Sequence, residues 1–239
     1  MVKMLGNTIT VDGYSSRSVG LFCKQLPMWP IAIESKDSLT VGGRLSNMYK
    51  SAHFYNDITV EIEAVLLGLN VDLVAQYFAN GKKLSFSHIP DRYAIIRQLV
   101  SITQTRVGNG AIELRITLKC DPFKYSAANQ TLEFTAASNN FDVSGNFYAE
   151  PVLLAQGCTD GFSIDLNGVE FSTSGLTGNI YIDVPRRMTY QLGTGGVKTI
   201  VDEHTTGKIW DLILIPDDLN YLDMSNATKI QLTKNERWL

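Results

Sequence analysis

The chain has 239 residues, with 24 acidic and 21 basic side chains and a formal net charge of −3. A hydrophobic share of 44% can fill a core, which excludes a wholly disordered chain. Apolar runs such as Ala64–Leu69 are far shorter than the roughly 18 residues of a membrane-spanning helix, and the N-terminus does not resemble a signal peptide. We therefore expect a soluble protein without membrane insertion. Cys23, Cys120 and Cys158 form no Cys-x-x-Cys pair and are expected to be buried thiols.

Two segments of the first half alternate strictly between apolar and polar residues. They run from Ile58 to Ala64 and from Ile112 to Cys120, and this period of two predicts strands with one buried face and one solvated face. The turn residues Val107–Gly110 precede the second strand. Leu99–Arg106 is therefore predicted to pair with that strand as a hairpin.

A single helix is predicted, at about residues 70–80. Asn70 can cap its start, an apolar stripe follows at helical spacing, and Asn80-Gly81 supplies the stop. One helix among many strands argues against doubly wound folds and α/β barrels, which need a helix after nearly every strand.

The composition changes after about residue 126. Ala127–Asn129 and Ala136–Asn140 have the small, polar composition of a linker or loop, and short strand-like runs follow. These runs are Pro151–Ala155, Phe162–Leu166, Val169–Thr173, Asn179–Val184, Met188–Leu192, Trp210–Ile215 and Lys229–Thr233. Asn167-Gly168 predicts a tight hairpin turn between two of them. Seven short strands in about 100 residues are typical of a β-sandwich.

Charge supports a division into two domains, residues 1–137 and 138–239. The first segment holds 14 basic and 11 acidic side chains, and the second holds 7 basic and 13 acidic ones. Neither segment is basic enough to indicate a dedicated nucleic-acid binder. The predicted fold class is mainly β, with a β-sandwich-like first domain that contains the helix and a long hairpin, followed by a second β-sandwich.

Motifs of enzyme, metal or cofactor sites are missing from the sequence. None of His53, His88 and His204 has a Cys or a second His at metal-ligand spacing, and Asp202-Glu203-His204 is predicted to be a polar hairpin turn. Gly193–Thr199 resembles a phosphate-binding loop, but Val197 separates its last glycine from the lysine and no helix pattern follows. We therefore predict no catalytic residue, no metal and no cofactor, and a protein that is not an enzyme.

Aromatic residues of the second half leave one alternative open. They are Tyr148, Tyr181, Tyr190, Trp210 and Tyr221. Such side chains could form a platform on which sugars stack, which would make the domain a carbohydrate-binding module for host cell-wall glycan. In a β-sandwich, however, aromatic residues more often fill the core or pair across strands.

Several motifs occur in an order that points to one family. They are Val41-Gly42-Gly43-Arg44 with Tyr49, then Leu84–Tyr93, then Asp121-Pro122-Phe123-Lys124-Tyr125 directly after a strand, then Ile213–Pro216 with Asn220, and finally Arg237-Trp238. This order resembles the distal tail protein (Dit) family of bacteriophages with long, non-contractile tails. The best single match is the signature formed by Pro122, Phe123 and Tyr125. The late loop departs from the family because Asp217 and Asp218 follow Pro216 where a glycine is usual.

The resemblance implies a fold and a function. The second domain would be a galectin-like or carbohydrate-module-like sandwich in the plain two-domain form, without added sugar-binding insertions. The protein would form a hexameric ring at the virion tail tip, or a back-to-back dodecamer in isolation, after assembly in the cytoplasm of the host bacterium. The ring would join the tail tube protein to the adhesion device, and its partners would include the tape-measure protein, a tail-associated lysin or hub protein, and receptor-binding or baseplate proteins.

A closed ring needs two unlike patches that meet between neighbouring copies. The expected patches are the loop Arg44–Tyr55 and the hairpin Leu99–Cys120, since sheet edges can continue a ladder into a neighbour. The candidate interface residues are Arg44, Tyr49, Tyr55, Arg106 and Arg115. DNA would pass through the central channel without specific binding, so we expect a channel face of neutral or mixed charge.

Overall fold

The computed structural model describes residues 7–39, 48–68, 70–108, 110–135 and 139–239. The chain forms two compact units, Met1–Ala127 with Leu239, and Ala128–Trp238. Both are built from antiparallel strands, which confirms the mainly β fold class. Within the described ranges, no helix has the length and apolar composition needed to cross a bilayer.

The first unit contains ten strands and one α-helix among its described residues. The strands are β1 (Ile9–Val11), β2 (Tyr14–Ser15), β3 (Leu21–Gln25), β4 (Glu34–Leu39), β5 (Met48–Tyr55), β6 (Ile58–Leu67), β7 (Lys83–Phe86), β8 (Ile89–Gly108), β9 (Ala111–Cys120) and β10 (Lys124–Ser126), and the helix is α1 (Val71–Tyr77). The main sheet has the order β2–β1–β7–β8–β9–β6–β3, and β10 also pairs with β8. Strands β4 and β5 form a separate two-stranded sheet.

The two alternating segments of the sequence lie side by side as β6 and β9. Ile62 pairs with Ile116, and both side chains are fully buried. The predicted hairpin is also confirmed, because β8 pairs with β9 over most of its second half. Alternate positions of these strands therefore share one apolar core, while the intervening polar residues face away from it.

Helix α1 lies within the predicted range. The Oδ1 atom of Asn70 accepts a hydrogen bond from the backbone N–H of Leu73 at 3.0 Å, as expected of a cap. Val74, Tyr77 and Phe78 are buried, whereas Leu73 is exposed. The helix therefore attaches to the sheet by a narrower stripe than its sequence pattern indicates.

The described residues of the second unit form twelve strands. They are β11 (Thr131–Phe134), β12 (Asn139–Asp142), β13 (Val152–Cys158), β14 (Ser163–Leu166), β15 (Val169–Thr173), β16 (Gly178–Asp183), β17 (Met188–Leu192), β18 (Lys198–Ile200), β19 (Thr205–Thr206), β20 (Leu219–Ser225), β21 (Lys229–Thr233) and β22 (Arg237–Trp238). A six-stranded sheet has the order β11–β21–β13–β16–β17–β18, and a five-stranded sheet has the order β12–β20–β14–β15–β19. One core cluster contains the buried side chains of both sheets, including Ile182 and Phe171. This is a β-sandwich.

Two predicted segments of this unit differ from the structure. Trp210–Ile215, predicted as a strand, contains a short 3₁₀ turn at Ile209–Asp211, and only Leu214 bridges to another segment, at Ala149. Leu212 and Leu214 are both buried. Their spacing of two residues is that of a half-buried strand, although the segment forms no continuous strand ladder. The loop predicted near residue 140 is instead β12, which pairs with β20.

The predicted polar hairpin turn lies between two strands that do not pair with each other. Asp202-Glu203-His204 forms a 3₁₀ turn after β18, and β18 pairs with β17 rather than with β19.

The boundary between the compact units falls after Ala127, whereas the sequence places a domain boundary after residue 137. The reason for this difference is that β11 pairs with β21 and so belongs to the sandwich.

Candidate self-association surface

The structure brings one predicted interface residue into contact with the signature motif. The ring of Tyr55 packs edge-on against that of Phe123, with 5.8 Å between centroids. The carboxylate of Asp121 accepts a hydrogen bond from the N–H of Phe123 at 3.1 Å and pairs with Arg97. Tyr125 stacks on Tyr93 across the β10–β8 ladder at 5.6 Å. Signature residues therefore attach β10 to the sheet and support the end of β5.

The structure describes the remaining predicted interface residues only in part. Arg44 lies outside the described residues, and Tyr49 is described only through its backbone position on β5, opposite Ser38. Arg106 is exposed near the end of β8, whereas Arg115 lies in the middle of β9. Of the predicted residues whose side chains the structure describes, Tyr55 therefore contacts the signature motif, whereas Arg106 and Arg115 lie on the β8–β9 hairpin.

Arg115 belongs to a polar surface that we call the polar sheet face. It consists of the outward side chains of β3, β6, β9 and the second half of β8, as given by the strand registers. Its members are Phe22, Lys24, Thr59, Glu61, Glu63, Val65, Gln98, Ser101, Thr103, Thr105, Glu113, Arg115, Thr117 and Lys119. Three of these side chains are acidic and three are basic, so the face carries no net charge.

The charges of the polar sheet face are also paired locally. Arg115 lies between two glutamates, with Nη2 at 3.7 Å from a carboxylate oxygen of Glu61 and 3.5 Å from one of Glu63. Lys24 on β3 forms an ion pair with Glu113 on β9. Exposed pairs of this kind contribute little to stability. Their consequence is that this face presents compensated charge and hydroxyl groups to solvent.

The main sheet ends in two unlike edges. β3 occupies one end of the strand order. At the other side, β7 and β10 pair with β8 only up to Ile95, and the described residues provide no partner other than β9 for β8 beyond Ile96. A strand edge of this kind carries unpaired backbone N–H and C=O groups that can accept another strand.

An exposed apolar segment, Leu26–Ile33, follows directly after the edge strand β3, and we call it the apolar strip. Met28, Ile31 and Ile33 are 73%, 76% and 75% exposed. Trp29 anchors the strip by stacking on Phe86, with 4.3 Å between ring centroids. Exposed aliphatic groups in a row are typical of protein interaction sites.

Sequence reasoning missed the apolar strip, although a signal was present. Pro27 and Pro30 interrupt a run of apolar residues that has neither helical nor strand periodicity. Because proline lacks an N–H, such a run is poorly suited to a central strand. An apolar segment that cannot join a strand ladder has fewer ways to become buried. The exposure of the apolar strip could therefore have been predicted from the sequence.

The aromatic residues considered for a sugar platform are not gathered in one place. Tyr181 and Tyr190 stack with ring centroids 4.9 Å apart on the six-stranded sheet, and the Nζ atom of Lys198 lies 4.1 Å from the centre of the Tyr190 ring. Tyr221, on the other sheet, donates a hydrogen bond to Asp223 at 3.2 Å. Cross-strand pairing therefore accounts for the stacked tyrosines.

A groove of about 740 Å³ lies on the five-stranded sheet. Its lining is mixed, with hydroxyl and carboxylate side chains from β14, β15, β19 and β20 beside the apolar Ile164, Phe171 and Met224. The polar lining residues are Ser163, Asp165, Glu170, Ser172, Thr206, Asp223 and Ser225. In the described ranges, no group of three or more His, Cys, Asp or Glu side chains is arranged to hold a metal ion.

The three cysteines are buried, as predicted. Burial raises the pKa of the Cys23 and Cys158 thiols to about 11 and that of Cys120 to about 12. These groups are therefore protonated at neutral pH, and a thiol in that state is a poor nucleophile.

No protein-family model matches the chain, and no curated protein sequence does. The fold is nevertheless similar to the crystal structure of the SPP1 Dit (gp 19.1) protein, described as a paradigm of the hub adsorption apparatus in Gram-positive infecting phages. The similarity has a TM-score of 0.71 and covers 98% of this chain and 99% of that chain, at 15% sequence identity. The resemblance to the distal tail protein family, predicted from the order of short motifs, is therefore confirmed at the level of the fold.

Proposed function

We propose that this chain is a non-enzymatic structural component of a bacteriophage tail tip, where it serves as the hub of the adsorption apparatus. The observation that carries the proposal is the structural similarity, which extends over nearly the full length of both chains and so includes both compact units. Similarity of one sandwich alone would leave function open, because this architecture serves many roles. A match of two different units in the same order is far more restrictive.

Six copies of the first unit form a closed ring in this proposal. Ring closure requires a heterologous interface, in which one patch of a copy meets a different patch of the next. The two unlike edges of the main sheet, β3 with the apolar strip and the second half of β8, supply such a pair of patches. Backbone pairing between the edges fixes the orientation of neighbouring copies, and burial of the exposed aliphatic groups supplies affinity.

The polar sheet face is our candidate for the channel lining. A channel that conducts DNA must not retain it, and Lys and Arg contacts to phosphate dominate DNA affinity. On the polar sheet face, each of Lys24 and Arg115 has an acidic neighbour within ion-pair distance. The absence of net charge on this face therefore favours passage of the genome and the tape-measure protein without tight binding.

The second unit would dock neighbouring tail proteins. Candidates are the tail tube protein, a tail-associated lysin or hub protein, and receptor-binding or baseplate proteins. In this proposal the assembled protein is located at the virion tail tip after assembly in the bacterial cytoplasm.

Multi-angle light scattering with negative-stain imaging tests the ring. We expect a mass six or twelve times that of one chain, and annular particles with a central hole. A single-chain mass at all concentrations up to the millimolar range would contradict the proposal.

A carbohydrate-binding module is the second candidate, and the groove on the five-stranded sheet is the observation in its favour. Carboxylates such as Asp165 and Glu170 can accept hydrogen bonds from neighbouring hydroxyls of a sugar. A pulldown with purified host cell-wall glycan discriminates between the two. Binding by a monomeric protein that loses affinity on D165N would favour this candidate over the ring.

A further inference from the structure

Lys124 on β10 is a charged side chain that the fold buries. It is 3% exposed, and none of the ion pairs of the described residues includes it. Desolvation, with a smaller contribution from the like charge of Arg92, lowers its pKa from the ordinary value. Burying a charge in this way opposes folding. The position of Lys124 therefore requires an explanation other than stability.

The hydrogen bond made by Lys124 points to that explanation. Its Nζ atom donates to the backbone carbonyl oxygen of Pro30 at 3.3 Å, in the middle of the apolar strip. No helix or strand includes residues 26–33, so the strip is not held by a backbone ladder. It is held by Trp29 against Phe86, by the buried Ala32, by this bond from Lys124 and, at its end, by the backbone N–H of Asn56, which donates to the carbonyl oxygen of Ile33 at 3.2 Å. These anchors fix one side of the strip and leave its exposed aliphatic groups facing solvent.

We propose that Lys124 is a positioning residue, which holds the apolar strip in the conformation that a second copy of this chain binds. This inference rests on the ring proposed above and assigns a residue to its interface. Lys124 itself does not touch the neighbouring copy in this arrangement. It acts through the backbone of Pro30.

Continuity with an open sheet edge favours a second copy as the occupant of the strip. The strip directly follows β3, which occupies one end of the strand order. The other open edge is formed by residues 97–108 of β8, for which the described residues provide no strand partner besides β9. This edge presents Val100, which is 48% exposed. An apolar strip that continues one edge therefore complements an opposite edge that carries an exposed valine.

The experiment compares K124M with K82M in the full-length chain. Met keeps the length and apolar stem of Lys124 but removes the charge and the hydrogen bond. Lys82 is the matched control, since its Nζ atom also donates to a backbone carbonyl oxygen, that of Gln76 at 2.8 Å, but in an exposed position. Three readouts are taken: thermal unfolding, hydrogen exchange of the buried Trp29 indole N–H, and mass by light scattering.

K124M is expected to keep the wild-type circular dichroism spectrum and a melting temperature at least as high. Exchange of the Trp29 indole N–H should become about tenfold faster or more, because the strip loses a hydrogen bond from a charged donor and opens more often. The mass should fall from that of the ring toward that of one chain, and K82M should resemble wild type. I31S, which leaves Lys124 intact, should also reduce the mass without changing the exchange of the core strands.

Two results would separate this inference from the ring itself. A ring in both wild type and K124M would overturn the role of Lys124 and leave the ring standing. A monomeric wild type would overturn the ring and the docking of a second copy together. Unfolding of K124M, or unchanged exchange of the Trp29 indole N–H, would identify Lys124 as an ordinary structural residue and overturn the inference.

Discussion

The main sheet of the first unit and the five-stranded sheet of the second unit differ in the charge that their outward faces carry. On the polar sheet face, three acidic and three basic side chains interleave, and Arg115 lies between Glu61 and Glu63. The five strands of the other sheet contain no Lys or Arg at all, although Asp165 pairs across strands with both Glu170 and Asp223. Like charges in such positions repel each other.

This difference teaches that strand periodicity and surface function are specified separately. In both sheets the alternate positions bury aliphatic or aromatic side chains, and those positions determine the fold. The intervening positions are free to carry balanced or single-sign charge. A balanced face lacks attraction for either DNA or acidic proteins, whereas an acidic face repels DNA and attracts basic surfaces.

The largest expected effect comes from placing a charge in either core. I116D should unfold the first unit and I182D the second, each by more than about 4 kcal/mol, because an unpaired carboxylate would be buried. Both isoleucines are fully buried. Circular dichroism and thermal melting report the loss. The controls T59D and T199D alter exposed positions of the same sheets and should leave the melts nearly unchanged, so equal effects of core and control substitutions would contradict the assigned faces.

Reversing charge on the polar sheet face should create DNA affinity in the assembled protein. E61K with E63K leaves five basic side chains and one acidic one on this face in every copy. Fluorescence anisotropy with duplex DNA should show binding at about 50 mM salt that weakens steeply by about 200 mM. The matched pair D165K with E170K makes the same change on the acidic sheet and should give no such binding. DNA binding by the unmodified protein would contradict the balanced lining.

A smaller effect is expected from pH at Lys124. Its folded-state pKa is lowered by burial, so the native chain releases this proton at a lower pH than the unfolded chain does. Between the lowered pKa and the ordinary value of about 10.5, the unfolded state therefore binds more protons, and stability rises with pH. Urea unfolding of wild type and K124M should show that the advantage of K124M narrows between pH 7 and pH 10. An advantage that widens with pH would contradict the burial of a charged lysine.

The smallest effect concerns the late loop, where the chain departs from the glycine usual in the family. Asp217 has a φ of 56°, in the left-handed region that glycine adopts without strain. D217G should stabilise the second unit by about 0.5 kcal/mol, because relief of strain exceeds the added freedom of the unfolded chain. The melting temperature should rise by about 1–2 °C. D218G, at a neighbouring position without positive φ, should lower it.

The sequence was most informative where one residue type repeats with a fixed period. Strands β6 and β9, the hairpin with β8, and the cap at Asn70 were all predictable, because local propensity and burial act in the same direction there. The strand prediction for Trp210–Ile215 was wrong because Leu212 and Leu214 are buried at a spacing of two residues without forming a ladder. Strand β12 was missed because its asparagines favour loops, and pairing with β20 overrides that preference.

The candidate surface was predictable only in part. Tyr55 and the signature residue Phe123 were both named from the sequence, and they are in contact. The open edges of the main sheet depend on the order of strands in space, which periodicity does not report. The burial of Lys124 depends on contacts between β10 and a distant segment, and it follows from no local pattern.

Strand β8 is twenty residues long and extends from the signature region to the open edge. Its second half is paired with β9 on either side of three register shifts, and β9 in turn is paired with β6. Tension applied along the axis of β8 would therefore have to shear many hydrogen bonds simultaneously, whereas tension across the sheet would open them one after another. A sheet built around such a strand resists axial pulling far better than peeling.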